Sequence, residues 1–231
     1  MTTGLPRRQL LTGLFAIPAV AVLAAACGDS GSGQASATTP SASGPVPPSL
    51  GSVDMDVLLE EGALPDRVLG EEDAPVTIVE YLSLTCIHCA NFHNNTLPTI
   101  KERFIDTGQA RLITREFPFD PRAEAGAMLS RCADSRYHAM MDVLFRQRDN
   151  WVQVENARDA LLQISRVAGF SQESFEACLT DQQLLNDVRA VRARGQEDFG
   201  VDSTPTFFIN GNKYSGALSV DEMSAIIESH L

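Results

Sequence analysis

Residues 76–93 read Val76-Thr77-Ile78-Val79-Glu80-Tyr81-Leu82, then Ser83-Leu84-Thr85, then Cys86-Ile87-His88-Cys89-Ala90-Asn91-Phe92-His93. The opening run is β-branched and apolar on both alternations, the pattern of a strand covered on both faces. Pro75 starts it, and Glu80 is its one charged member. The cysteines come where a helix is expected to begin, running to about residue 106 with a kink at Pro98. Four chemistries compete for such a pair. A structural disulfide across two residues is strained. Zinc takes four ligands, usually from two such pairs, whereas Cys132 and Cys178 are distant and His93 alone does not complete a site. A haem attachment site has His directly after the second Cys, and here Ala90 follows. The remaining reading is a redox dithiol, and its position favours it.

The physical reason is electrostatic. A thiol at a helix N-terminus faces unpaired N–H groups and the positive end of the helix dipole. Both favour the thiolate, so the pKa of Cys86 is expected to fall. His88, between the sulfurs, adds a donor and can be cationic. Cys89 lies one turn further in and is expected to be shielded. Cys86 is then the attacking sulfur and Cys89 the resolving one.

Working outward, residues 53–63 read as a short leading helix, and Arg111 to Phe117 as a second strand stopped by Pro118 and Pro121. From about 122 to 199, Ala, Leu, Arg, Gln and Glu dominate. Four or five helices are expected there, with breaks near Arg136, Asn150 and Gly169-Phe170-Ser171; Ser171, Glu173 and Ser174 mark a helix start. Thr206 to Ile209 and Lys213 to Ser215 then flank Asn210-Gly211, a hairpin signal. Residues 219–230 close the chain as an amphipathic helix with Val220, Met223, Ile226 and Ile227 inward. The pattern describes a small α/β sheet, over residues 51–231, interrupted by a helical block at about 120–199.

The rest of the composition sets the setting. With 44% apolar residues among 231 there is enough for a core, and the net charge of −12 repels phosphate backbones, so nucleic acid is not an expected partner. Residues 1–26 read as an export signal: Arg7-Arg8, then an apolar stretch from Leu10 to Ala26. The paired arginines resemble a twin-arginine signal, and ordinary signals carry them too. Ala24-Ala25-Ala26-Cys27 fits an Ala-x-Ala cut and also resembles a lipoprotein box with Cys27 acylated, although Ala24 stands where Leu is usual. Residues 27–50 form a Ser, Gly and Pro-rich tether. A lipid on Cys27 would give that tether something to hold and would account for the odd fifth cysteine.

The stretch from Ala74 to Pro98, with Thr-Cys-Ile-His-Cys-Ala and Phe-His close behind, resembles the DsbA-like thiol-disulfide oxidoreductases of the thioredoxin superfamily. Thr204-Pro205-Thr206 supports this from the far end. The resemblance implies a thioredoxin fold with an inserted α-helical domain. It implies a cis Pro205 against the active-site sulfurs, with Thr204 and Pro205 offering backbone groups to a substrate chain. Glu80, six residues before Cys86, matches the family's buried acid, which would relay a proton to or from Cys89. Ile87 stands where the family usually has Pro. Cys132 and Cys178 match a structural disulfide of this branch. His93 is read as a helix-surface residue, and His138 and His230 receive no role.

The implied activity is an envelope enzyme that introduces disulfides into exported proteins. It would need no cofactor or metal, and a quinone-linked membrane partner would reoxidise it. A disulfide isomerase or reductase on the same fold is the alternative, and a metal-binding module using the cysteines as soft ligands is the other.

Overall fold

The structure is a computed structural model and describes residues 44–231. The expected export signal, Cys27 and the tether as far as residue 43 lie outside the described residues. A five-stranded sheet runs β1 (Arg67–Leu69), β3 (Ala110–Glu116), β2 (Val76–Leu82), β4 (Thr206–Ile209), β5 (Asn212–Ser215). Every residue of the central strand β2 is buried, as its apolar double alternation requires. It pairs parallel with β3, Ile78 opposite Leu112, and antiparallel with β4, Glu80 opposite Phe207. A parallel pair needs a crossover, and the helical stretch after the cysteines supplies it. In the β4–β5 hairpin, Asn210 and Gly211 have φ of 43° and 85°, the doubly positive geometry of a two-residue turn. A Cβ on Gly211 would stand 2.7 Å from the Val53 carbonyl oxygen, so glycine is required there twice over. The edge strand β1 was not expected, because three residues are too few to show a period.

The crossover begins as α2 (Ile87–Asn91), passes through a π-helical turn at Phe92–Thr96, becomes α3 (Leu97–Ile100), and ends in a second π turn at Lys101–Ile105. This is the form taken by the expected disturbance at Pro98. Proline has no N–H and its ring collides with the carbonyl one turn back. The turn before it widens instead, with the Leu97 N–H reaching back five residues to the Phe92 carbonyl.

Side chains alternate along β2. Val76 and Ile78 pack with Phe92, Leu97, Ile100 and Phe104 of the crossover and with Met223, Ile226 and Ile227 of the closing helix, residues 220–228. Val79 and Tyr81 pack on the opposite face with Leu58, Phe117, Phe199 and Phe208. Glu80 shares the face of Ile78 and Leu82, and so points its carboxyl toward the crossover. The leading helix, α1 (Met55–Leu59), is shorter than expected because Asp54 caps it and Glu60 already leaves helical geometry.

Between β3 and β4 stand α4 (Pro121–Cys132), α5 (Tyr137–Arg146), α6 (Ala157–Val167), α7 (Gln172–Thr180) and α8 (Gln182–Phe199). Short 3-10 turns occupy Asp134–Arg136 and Arg148–Asn150, where breaks were expected, and Ser171 caps α7 in a reciprocal box with Ser174. One break carried no Gly or Pro to announce it: Asp181 ends α7 and its side chain caps α8. The inserted helices have a core of their own, including Leu129, Tyr137, Met140, Leu144, Trp151 and Phe175, and that core takes in Leu84 and Cys89. A buried ion pair ties it to the sheet: Arg131 donates to Glu116 on β3 at 2.6 Å, and the Tyr137 hydroxyl donates to the same carboxylate at 2.8 Å.

Cys132 and Cys178 are joined as a disulfide between α4 and α7, 46 residues apart in sequence. Cutting it in the double variant Cys132→Ser/Cys178→Ser is expected to cost about 4 kcal/mol of folding stability by the loop-closure relation. Urea unfolding at fixed pH measures this, and a midpoint equal to that of the wild type would refute it.

Candidate active site

Cys86 is the N-cap of α2, in extended geometry, so its sulfur stands at the open end of the helix. The Thr204-Pro205 peptide is cis, and Cys86 Sγ lies 3.3 Å from the Thr204 carbonyl oxygen, to which the thiol donates. The Thr204 hydroxyl is buried and has no other partner, so it is free to donate to the sulfur once that sulfur ionises. Both active-site cysteines are free thiols here. Cys86 is half-buried, whereas Cys89 is 0% exposed, one turn down in the core of the inserted helices.

These surroundings pull the two thiols apart. Cys86 is lowered to about 5, chiefly by the hydrogen bond from the Cys89 thiol; burial opposes this, and the Thr204 side chain and the backbone N–H groups of Cys89 and His88 add to it. Cys89 is pushed well above its ordinary value, first by burial, then by its bond to Cys86 and the charge of Glu80. At neutral pH the pair is therefore a thiolate beside a thiol. What reaches Cys86 from His88 is its backbone; the imidazole side chain belongs to an exposed residue. Ile87, also exposed at 46%, presents an apolar side chain next to the nucleophile.

Two further residues hold the turn before Cys86, and no sequence signal pointed to either. The Thr85 hydroxyl donates to Asp120 at 2.7 Å, and Asp120 also caps α4 through the Arg122 and Ala123 N–H groups. Arg148 donates to the Thr85 carbonyl at 2.8 Å. Both come from the inserted helices or their entrance, so the insertion fixes the turn as well as covering Cys89.

Glu80 is fully buried, and its Oε2 lies 3.0 Å from Nε2 of His93. This corrects the surface reading of His93. Its side chain is 3% exposed and stacks on Phe145, ring centres 4.5 Å apart. Helical spacing is consistent with this: His93 lies four residues from both Cys89 and Leu97, on the stripe that continues to Ile100 and Phe104, and α5 covers it. His138 is half-buried on α5, and His230 lies past the closing helix. Among the described residues no three His, Cys, Asp or Glu side chains gather so as to hold a metal ion.

The fold and the helix-capping dithiol define a class, and comparison with known proteins narrows it. The thioredoxin family model matches residues 63–229. A Rickettsia bellii protein provisionally named a protein-disulfide oxidoreductase is 31% identical over 165 residues, 71% of this chain and 63% of the relative. The chain thus matches less than two-thirds of that relative's length. The crystal structure of alpha-DsbA1 from Wolbachia pipientis is 32% identical, covering 75% of this chain and 94% of its own, with a TM-score of 0.69. A Bacillus anthracis protein provisionally named disulfide bond formation protein D is 27% identical over 151 residues, 62% of this chain and 69% of its own. The chain belongs to the thioredoxin superfamily, among its DsbA-like members.

Two outcomes follow from the paired thiols. Cys89→Ala removes the leading donor to Cys86, so the thiolate midpoint is expected to rise from about 5 by roughly one pH unit or more, and by more than in His88→Ala. Thiolate absorbance against pH measures both, and an unmoved midpoint in Cys89→Ala would remove the thiol from its role. The second concerns stability. The folded value of Cys86 is depressed from 9.0 to about 5, so its contribution is absent below pH 5, grows between 5 and 9, and is complete above 9. The dithiol form should therefore gain stability relative to the disulfide form as pH rises through that window. The slope is at most about 1.4 kcal/mol per pH unit, less the screening at a half-buried site. Parallel urea titrations of the two forms would show it, and parallel curves across that range would contradict it.

Proposed function

We propose that the chain is a thiol-disulfide oxidoreductase that gives its Cys86–Cys89 disulfide to exported proteins. One observation carries the reading: a stabilised thiolate at Cys86 beside a buried, protonated Cys89. Anything that stabilises the dithiol form makes the disulfide a stronger oxidant. Thioredoxin, with a nucleophile near pKa 7, and DsbA, near 3.5, bracket the value of about 5 at Cys86. Two pH units below thioredoxin correspond to about 2.7 kcal/mol, or about 60 mV for a two-electron couple. The expected enzyme is an oxidant milder than DsbA.

In the reaction a substrate thiolate attacks Cys86 Sγ of the disulfide. The Cys86–Cys89 bond breaks, the mixed disulfide forms, and Cys89 leaves as a thiolate that takes up a proton. Glu80, fully buried and electrostatically coupled to Cys89, is the group that supplies it from its neutral carboxyl, and the carboxylate left behind holds the proton on Cys89. A second substrate thiolate then attacks the substrate sulfur. The substrate disulfide forms and Cys86 departs as its stabilised thiolate, a good leaving group because of its low pKa. Thr204 and Pro205, against the nucleophile, offer backbone groups to the extended substrate chain, and Ile87 offers an apolar contact.

The sequence supports the setting. The apolar stretch ending at Ala26 favours export, and Cys27 followed by the tether favours a lipid-held protein at a membrane surface. There a quinone-linked membrane partner would restore the disulfide. No helix among the described residues is long and apolar enough to cross a membrane.

Equilibration with glutathione tests the central claim. The expected potential lies above that of thioredoxin, about −270 mV, and a value at or below it would favour a reductase. Cys89→Ser should accumulate mixed disulfides on Cys86, because intramolecular escape is lost. These adducts should be visible on non-reducing gels of envelope fractions and absent from Cys86→Ser/Cys89→Ser. Equal adducts in both variants would count against the mechanism.

A further inference from the structure

The proposed reaction leaves a proton without a route. Cys89 and Glu80 are both 0% exposed, so bulk water reaches neither. One atom of each partner in the Glu80–His93 pair is buried without a protein partner: Glu80 Oε1 and His93 Nδ1. Orphaned buried polar atoms are uncommon and ask for a reason. Here the two orphans sit on one chain of groups. Glu80 bears on Cys89 at one end, and His93 lines a cavity of about 380 Å³ at the other. Asn94, Lys101, His138, Asp142 and Arg146 share that cavity; most of its wall is apolar, with these polar groups set into it, and it has room for on the order of ten waters at about 30 Å³ each. His93 also sits in the widened π turn ahead of Pro98.

We propose that His93 carries the proton between this cavity and Glu80. The idea rests on the reading of Glu80 as the proton donor to Cys89. When the active-site disulfide is attacked, Cys89 leaves as a thiolate and takes the proton of the Glu80 carboxyl. His93, whose Nε2–H donates to Glu80 Oε2, takes a proton at Nδ1 from a water admitted from the adjoining cavity, because that atom is itself buried. The products are a Cys89 thiol and a buried carboxylate–imidazolium pair, so no lone charge is stranded. On reoxidation the partner's disulfide is attacked by Cys86, forming a mixed disulfide. Cys89 then returns its proton to Glu80 and attacks Cys86, while His93 releases the Nδ1 proton to the cavity. One proton enters and one leaves per cycle. His93 acts through Glu80 and does not touch the sulfurs.

The other titratable groups around His93 permit this. His138 on α5 is lowered to about 4, first by burial and then by the charge of His93, so it stays neutral beside an imidazolium. Asp142 on the same helix is raised by burial, while the His93 charge pulls it down. Lys101 on the crossover and Arg146 on α5 supply the positive charges of the cavity.

The test has two arms. In wild-type protein with ¹⁵N-labelled histidine, the His93 ring should be neutral in the disulfide form and cationic in the dithiol form near neutral pH; the same state in both forms overturns the proposal. In the second arm, Cys89 closes on a Cys86–glutathione mixed disulfide, followed against pH. His93→Gln keeps a hydrogen-bond donor but cannot carry a proton, and should be slower by about tenfold at pH 6 to 7, converging with wild type at high pH. If Glu80→Gln is slow and His93→Gln is not, the carrier role fails while the Glu80 reading stands. If neither is slow, both fail. Should His93→Gln not fold, the wild-type spectra decide.

Discussion

The constraint on which the rest of the molecule depends is the asymmetry of two sulfurs three residues apart. One must be an ion and the other a neutral thiol. A helix start provides this cheaply: Cys86 caps α2 and meets its N–H groups, while Cys89 is carried one turn inward. Where the helix starts is set by β2, whose burial fixes the point at which the chain emerges from the sheet. The peptide before Pro205 then closes the site from the far end of the sequence, through the Thr204 carbonyl and hydroxyl.

Burial alone would work against Cys86, since desolvation raises a thiol. The structure resolves the conflict by depth. The inserted helices place Cys89 in their own core, where desolvation is greatest, and leave Cys86 at its margin among donors. The same insertion immobilises the turn before Cys86 through Asp120 and Arg148. Its rigid attachment to the sheet, by the Arg131–Glu116–Tyr137 cluster, is therefore part of the site's electrostatics and not only of its stability.

Beneath the sulfurs, polar atoms are concentrated on one face of β2. Glu80 replaces what would be another apolar contact between Ile78 and Leu82, and His93 answers it from the crossover. Neither would survive burial singly. The pair depends on Pro98, whose missing N–H widens the preceding turn, and on α5, whose Phe145 covers the imidazole.

Much of this was legible in the sequence because it is local. A doubly apolar β-branched run can only be a covered strand, Asn-Gly between two such runs turns a hairpin, and two cysteines at a helix start differ in exposure by one turn of geometry. Those facts depend on neighbours within a few residues, and the family resemblance of the two motifs extended them to Thr204, Pro205 and the Cys132–Cys178 bond. What the sequence alone did not hold were relations between distant segments. The three residues of β1 acquire a conformation only by pairing with β3. His93 shares the helical stripe of Leu97 and Ile100, but its partner Glu80 and its cover Phe145 come from β2 and α5, which no spacing within the crossover reveals. Asp120 and Arg148 lie 35 and 63 residues from the Thr85 they hold. Their roles were decided by the tertiary structure, because hydrogen bonds and desolvation depend on distance in space.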